Sequence, residues 1–328
     1  MVKVYFATNR NPDPAAEGGF GTTMAPTDNP ATVLYGSADV QGIDLNDESS
    51  GQFAPATDVT KGSYSDQAAA EIVGSGKNLL VFIHGFDNSF ADAVKRAAYN
   101  AEWLRQSGIK AADTTVLAFS WPSTGALFTF PHLDYESDQT KAGLSAFHLG
   151  WYLNTLDNLR RDYKRRNPNG KIFLLAHSMG NHALQGAIEW WFAQSGPAEI
   201  FFDEAILAAA DEVYDTFEAK NDAKLSSLPK LAGRVTIYNS RGDVAMYLST
   251  TLNLDCRLGF DGPEDKTSET LYAPAKFRIV DCTDVKDYDP DNPPDATHQY
   301  YRRSIIVRRD IAAVLGGDGG GGLVTLKS

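Results

Sequence analysis

The chain has 328 residues, 42 Asp and Glu against 30 Lys and Arg, and 43% hydrophobic residues. Its length suits one large α/β domain or two small ones, and its formal charge of −12 leaves no basic footprint for nucleic acid or for an anionic membrane surface. Cys256 and Cys282 are too few for a disulfide framework and lack the spacing of a zinc or redox site, so two thiols in a reducing compartment are expected, with a single bridge left open.

The chain starts with Met1-Val-Lys-Val-Tyr-Phe6, which reads as a strand and not as the ~7–15 residue apolar core of a signal peptide. No apolar run approaches the ~20 residues of a membrane helix, and a cytoplasmic protein is expected. Eight strand candidates occur in order: Val2 to Ala7, Thr32 to Tyr35, Leu79 to Ile83, Thr115 to Phe119, Ile172 to Ala176, Ala205 to Ala210, Val235 to Tyr238 and Phe277 to Val280. The first two should pair antiparallel, since no helix-length segment separates them. From residue 79 onward strands alternate with helical patterns, which predicts a mostly parallel sheet with helices on both faces.

Phe90, Val94, Ala98, Ala101 and Leu104 form one apolar stripe at spacings of three and four, closed by Gly108. A longer helix is predicted over about Ala142 to Arg166, with Leu149, Leu153, Leu156 and Leu159 inward. The cations from Arg160 to Arg166 suit the negative end of its dipole. Residues 41–64 read as an extended connection at the sheet edge, and residues 244–275, which carry no period, as a lid or rim. The expected organisation is one domain over residues 1–315 and a flexible, Gly-rich tail over 316–328.

Chemistry concentrates in Lys171-Ile-Phe-Leu-Leu-Ala-His-Ser-Met-Gly-Asn-His182, an apolar strand running into a sharp turn and then a helix. Ala176-His177-Ser178-Met179-Gly180 is a variant of the G-x-S-x-G nucleophile elbow, whose small residues let the backbone fold tightly beneath the serine. Ser178 would stand at the carboxyl ends of the strands, with a helix N-terminus aimed at developing negative charge. A serine hydroxyl needs a base, and hydrolases that carry this elbow order the chain as Ser, acid, His. Of the six histidines, only His298 lies more than four residues beyond Ser178. Two acids come after strands: Asp243 after the seventh run is the first candidate, and Asp211 after the sixth is the second. Oxyanion donors would be the N–H groups of Met179 and of Phe86, which stands after a His-Gly pair.

These residues resemble the α/β-hydrolase superfamily, and within it the bacterial family of α/β-hydrolases of unknown function. The resemblance rests on Phe6-Ala-Thr-Asn-Arg10, Phe82-Ile-His-Gly-Phe86, Phe119-Ser-Trp-Pro-Ser123, Leu175-Ala-His-Ser-Met-Gly-Asn181, Tyr238-Asn-Ser-Arg-Gly-Asp243 and His298-Gln-Tyr-Tyr301. It implies a serine esterase or lipase-like enzyme with Ser178, Asp243 and His298 as its triad, and it keeps Asp211 open as the acid. Thioesterase, amidase or acyltransferase activity would use the same residues, and a non-catalytic scaffold would be expected to lack one of them.

Aromatic residues after the third and fourth strands, among them Phe86, Phe90, Trp121, Phe128, Phe130 and Tyr135 with His132, offer walls for an apolar pocket. Trp121 is the one assigned to substrate. Asp287-Tyr-Asp-Pro-Asp291 resembles a calcium loop, but Asn292 replaces its glycine and His298 its final glutamate, so no metal is expected. No cofactor fingerprint occurs. Residues 281–295 hold six Asp and one Lys, 1 − 6 = −5, just before His298. A raised His298 pKa and a preference for neutral esters are therefore expected.

Overall fold

The computed structural model describes residues 1–27, 29–48, 50–124, 131–195, 199–218, 225–288 and 295–328. Each of the eight predicted runs overlaps a strand, because β-branched and aromatic side chains suit a pleated surface covered by helices. The chain divides into two compact units, Met1–Ile172 and Phe173–Ser328, where the sequence suggested one domain.

In the first unit the strands are β1 (Val2–Thr8), β2 (Arg10–Pro12), β3 (Phe20–Met24), β4 (Leu34–Gln41), β5 (Gln52–Phe53), β6 (Thr57–Lys61), β7 (Asn78–Ile83) and β8 (Thr114–Ser120). Its helices include α1 (Asp66–Gly74), α2 (Phe90–Gln106) and α3 (Pro131–Arg166). β1 pairs antiparallel with β4 and parallel with β8, which pairs parallel with β7. The expected connection over 41–64 contains β5 and β6, both antiparallel to β4. Their polar sequence gives little strand signal, and the open edge of β4 supplies the backbone partners that decide the matter.

Helix α2 begins with Ser89 and Asp92 in a reciprocal capping box, and its predicted stripe Phe90, Val94, Ala98, Ala101 and Leu104 is buried. Helix α3 starts at Pro131, well before the predicted boundary. Its Leu149, Leu153 and Leu156 are buried, and Lys164 near its end donates to the carbonyl of Gly170 in the following loop at 2.6 Å.

The second unit is built on β9 (Ile172–His177), β10 (Phe202–Ala208), β11 (Ala232–Asn239), β12 (Phe277–Asp284) and β13 (Gly322–Lys327), all parallel and adjacent in that order. Its helices include α4 (Gly180–Ser195), α5 (Leu228–Leu231), α6 (Val244–Asn253), α7 (Leu258–Asp261), α8 (Asp295–His298), α9 (Tyr300–Arg303) and α10 (Ile305–Gly316).

One expectation is corrected here, and one stretch without a period proves to be helical. The flexible tail over 316–328 contains β13, whose register runs from Arg278 against Gly322 to Asp284 against Lys327. Along β13 half-buried Gly322, Val324 and Leu326 alternate with exposed Leu323, Thr325 and Lys327, but Leu323 and Val324 are both apolar, so the sequence itself carries no such alternation. The aperiodic stretch 244–275 contains α6 and α7. Only Met246 and Ser249 of α6 are buried, so the helix imposes almost no apolar period on its sequence.

Cys256 and Cys282 are both free thiols, and Cys282 alone is buried. Among the described residues, no helix is long and apolar enough to cross a membrane, and no cluster of three or more His, Cys, Asp or Glu could hold a metal ion.

Candidate active site

Strand β9 is buried along its whole length and delivers Ser178 to a turn in which φ is 53°. A left-handed conformation strains a non-glycine residue by roughly 1–2 kcal/mol, so the surroundings must over-determine it. They do so through the backbone: Ser178 N–H donates to Ala208 O at 3.0 Å, and Ser178 O accepts from Asn181 N–H at 3.0 Å and Asp211 N–H at 3.2 Å. The Asn181 side-chain amide adds bonds to Ala176 O and Ser178 O. Ala176 and Ser178 are both buried, and α4 begins two residues after the serine, at Gly180. The sharp turn predicted from Ala176-His-Ser-Met-Gly180 is therefore present, with its first small position filled by alanine.

Asp243 lies beyond the carboxyl end of β11 and is wholly buried. One carboxylate oxygen caps α6 by accepting from Met246 N–H at 3.0 Å. The other lies 2.8 Å from Nδ1 of His298, at the end of α8. A carboxylate at Nδ1 holds the neutral imidazole in the tautomer with its proton there, leaving the Nε2 lone pair to act as a base. The His298 ring packs against His177 with centroids 4.7 Å apart, and His177 packs in turn against Tyr301. His177 precedes the nucleophile, yet nothing in its spacing announced that it would cradle a residue 121 positions away.

Asp211, the other acid considered, is also buried. Its Oδ1 accepts from Ser249 Oγ at 2.5 Å and lies 3.6 Å from Arg257 Nε. The structure thus brings His298 to Asp243 and gives Asp211 a serine and an arginine as neighbours. One turn into α4, His182 Nδ1 lies 2.6 Å from the buried carboxylate of Glu212, a second His–carboxylate pair that chain order did not suggest.

The remaining expected residues divide between the units. Met179, buried beside the serine, belongs to the second. Phe86 belongs to the first; it is half-buried, and its carbonyl accepts from Asn88 Nδ2 at 2.7 Å. Trp121 has no exposed surface, so its assignment as a substrate contact is corrected. Its ring stacks on His84, its indole N–H donates to His84 O, and its backbone N–H donates to His84 Nε2. That acceptor leaves the His84 proton on Nδ1, directed to Gly85 O at 2.8 Å, and burial pushes the imidazole well below its ordinary pKa. Phe128 and Phe130 lie outside the described residues, as do the side chain of His132 and residues 289–294 of the acidic stretch.

A strained serine between a buried parallel strand and a helix, with a buried Asp–His pair after later strands, defines an α/β-hydrolase. The chain belongs to the family described as alpha/beta hydrolase of unknown function (DUF900), whose model matches residues 62–309. It is similar to an uncharacterized protein of Nostoc sp., alr1448, with 27% identity over 133 residues. That match covers 34% of this chain and 31% of the relative, so the chain spans about a third of the length of the relative it matches. A structure comparison returns the phospholipase PlaB from Legionella pneumophila in complex with thio-NAD, at 14% identity and a TM-score of 0.29, covering 68% of this chain and 41% of that one.

Proposed function

We propose that this α/β-hydrolase cleaves carboxylic esters through an acyl-enzyme, with Ser178 as nucleophile, His298 as general base and acid, and Asp243 as the orienting carboxylate. The observation that carries the reading is the 2.8 Å Asp243–His298 Nδ1 contact in the unit that also strains Ser178 into the left-handed region. In this scheme His298 Nε2 takes the proton as Ser178 Oγ bonds to the ester carbonyl carbon. Met179 N–H, next to the serine at the start of α4, meets the negative charge that develops on the carbonyl oxygen. His298 then returns the proton to the departing alcohol. Water enters by the same base and releases the acid.

Incubation with short-chain and long-chain p-nitrophenyl esters tests the proposal directly. The parent protein should turn them over and Ser178→Ala should not, with a fluorophosphonate probe labelling Ser178 alone. Equal turnover by parent and Ser178→Ala would falsify the assignment.

A further inference from the structure

The chain after α6 brings an arginine into the interior against Asp211, whose backbone is bonded to the nucleophile turn, and a glycine makes the approach possible. A Cβ on Gly259 would lie 2.3 Å from the carbonyl carbon of Ala209, so only glycine lets residues 256–259 run against the chain leaving β10. The two segments are then tied through their backbones. Leu258 N–H donates to Glu212 O at 2.7 Å, Gly259 N–H to Ala210 O at 2.8 Å and Tyr214 N–H to Cys256 O at 3.1 Å, and Val213 and Arg257 form a bridge.

Arg257 is left 4% exposed. It pairs with Asp211 at 3.6 Å, too long for a hydrogen bond, and its Nε has no hydrogen-bond partner among the described residues. The Asp211 oxygen that faces it already accepts from Ser249 Oγ. A guanidinium is a rigid fork of five donors matched to carboxylate and phosphate oxygens, and burying the Nε–H of Arg257 unmet is unfavourable unless an acceptor arrives from elsewhere. The position is also fixed relative to the nucleophile. Asp211, which faces Arg257 through its side chain, donates its backbone N–H to Ser178 O at 3.2 Å.

We propose that Arg257 recognises an oxyanion of the substrate, a carboxylate or phosphate carried by the ester on which Ser178 acts. The inference rests on the ester-hydrolase reading above and names its substrate class as anionic. It runs against the neutral substrate expected from the acidic stretch 281–295, and it does so because Arg257 stands two contacts from Ser178.

The test compares three p-nitrophenyl esters of matched length: a neutral acyl ester, the monoester of a dicarboxylic acid, and an acyl ester bearing a terminal phosphate. For the parent, kcat/KM on one of the anionic esters should exceed that on the neutral ester, and the better of the two identifies the oxyanion. Arg257→Met should lower the anionic-to-neutral ratio roughly 10- to 100-fold, the loss of one paired charge-assisted contact, and Arg257→Lys should retain part of it. Inorganic phosphate or glutarate should raise the melting temperature of the parent more than that of either variant, a readout independent of turnover and of the folding yield of Arg257→Met. A parent ratio at or below one, or equal thermal shifts in parent and Arg257→Lys, overturns the proposal. If Ser178 takes no fluorophosphonate label and no ester turns over, the ester reading fails on its own, and the thermal shifts still decide whether Arg257 binds the anion.

Discussion

Replacement of Asp243 separates structural from chemical work in one side chain. Its Oδ1 caps α6 and its Oδ2 meets His298 Nδ1. Loss of an N-cap costs about 1 kcal/mol, and loss of a bond to a buried ionised acceptor about 1.5–3 kcal/mol. Asp243→Ala removes both, so stability should fall by roughly 2.5–4 kcal/mol. Asp243→Asn keeps an oxygen for Met246 N–H and should cost the cap little, but it turns an amide toward Nδ1. The imidazole must then carry its proton on Nε2, where a base lone pair is required, and kcat/KM should fall by roughly 10⁴-fold. Urea titration and p-nitrophenyl ester hydrolysis measure the two effects on the same preparations. On a neutral ester Asp211→Asn should stay within roughly tenfold of the parent, since its facing oxygen serves Ser249 and Arg257. An Asp243→Asn protein within tenfold of the parent, or an Asp211→Asn protein as impaired as Asp243→Asn, would refute the reasoning.

Gly259→Ala should destabilise the second unit by about 3 kcal/mol or more, because the new methyl meets backbone and not a movable side chain; an unchanged melting temperature contradicts this. Arg10 is buried and donates to Ser120 Oγ, Gly21 O and Asn88 O, so Arg10→Met should cost at least ~3 kcal/mol by leaving those acceptors unmet, measured by urea unfolding. Burial lowers the pKa of both His84 and His148, so the folded state disfavours their protonation. The unfolded chain takes up these protons as pH falls below about 6.5, so stability should hold above that value and decline beneath it. His84→Gln should flatten the decline between about pH 6.5 and 5, and a parent urea midpoint independent of pH over that range would contradict the sign.

The elbow was legible because its constraints are local: an apolar strand, a small residue on each side of the serine and a helix beyond occupy one short stretch. Chain order singled out His298 as the candidate base, since the other histidines precede Ser178 or come within a few residues after it, and the structure brings it to Asp243. Asp243 and Asp211 were not separable in this way, as each ends a strand in the same sheet and each can cap a helix. Trp121 misled because an aromatic residue at a strand end serves equally as a pocket wall or as packing. Its indole fills the space over His84, which only the neighbouring strand could reveal.

The sequence by itself determined eight of the strands, the helix stripe and the strained serine, because periodicity and turn chemistry act over a few residues. Tertiary structure decided which acid meets His298, that residues 322–327 extend the sheet, and that Arg257 lies buried against Asp211. Each of these depends on segments tens of residues apart, joined by an open strand edge or by a glycine that permits close approach. Such contacts leave no period in the chain, since both partners are specified only when the backbone has already folded.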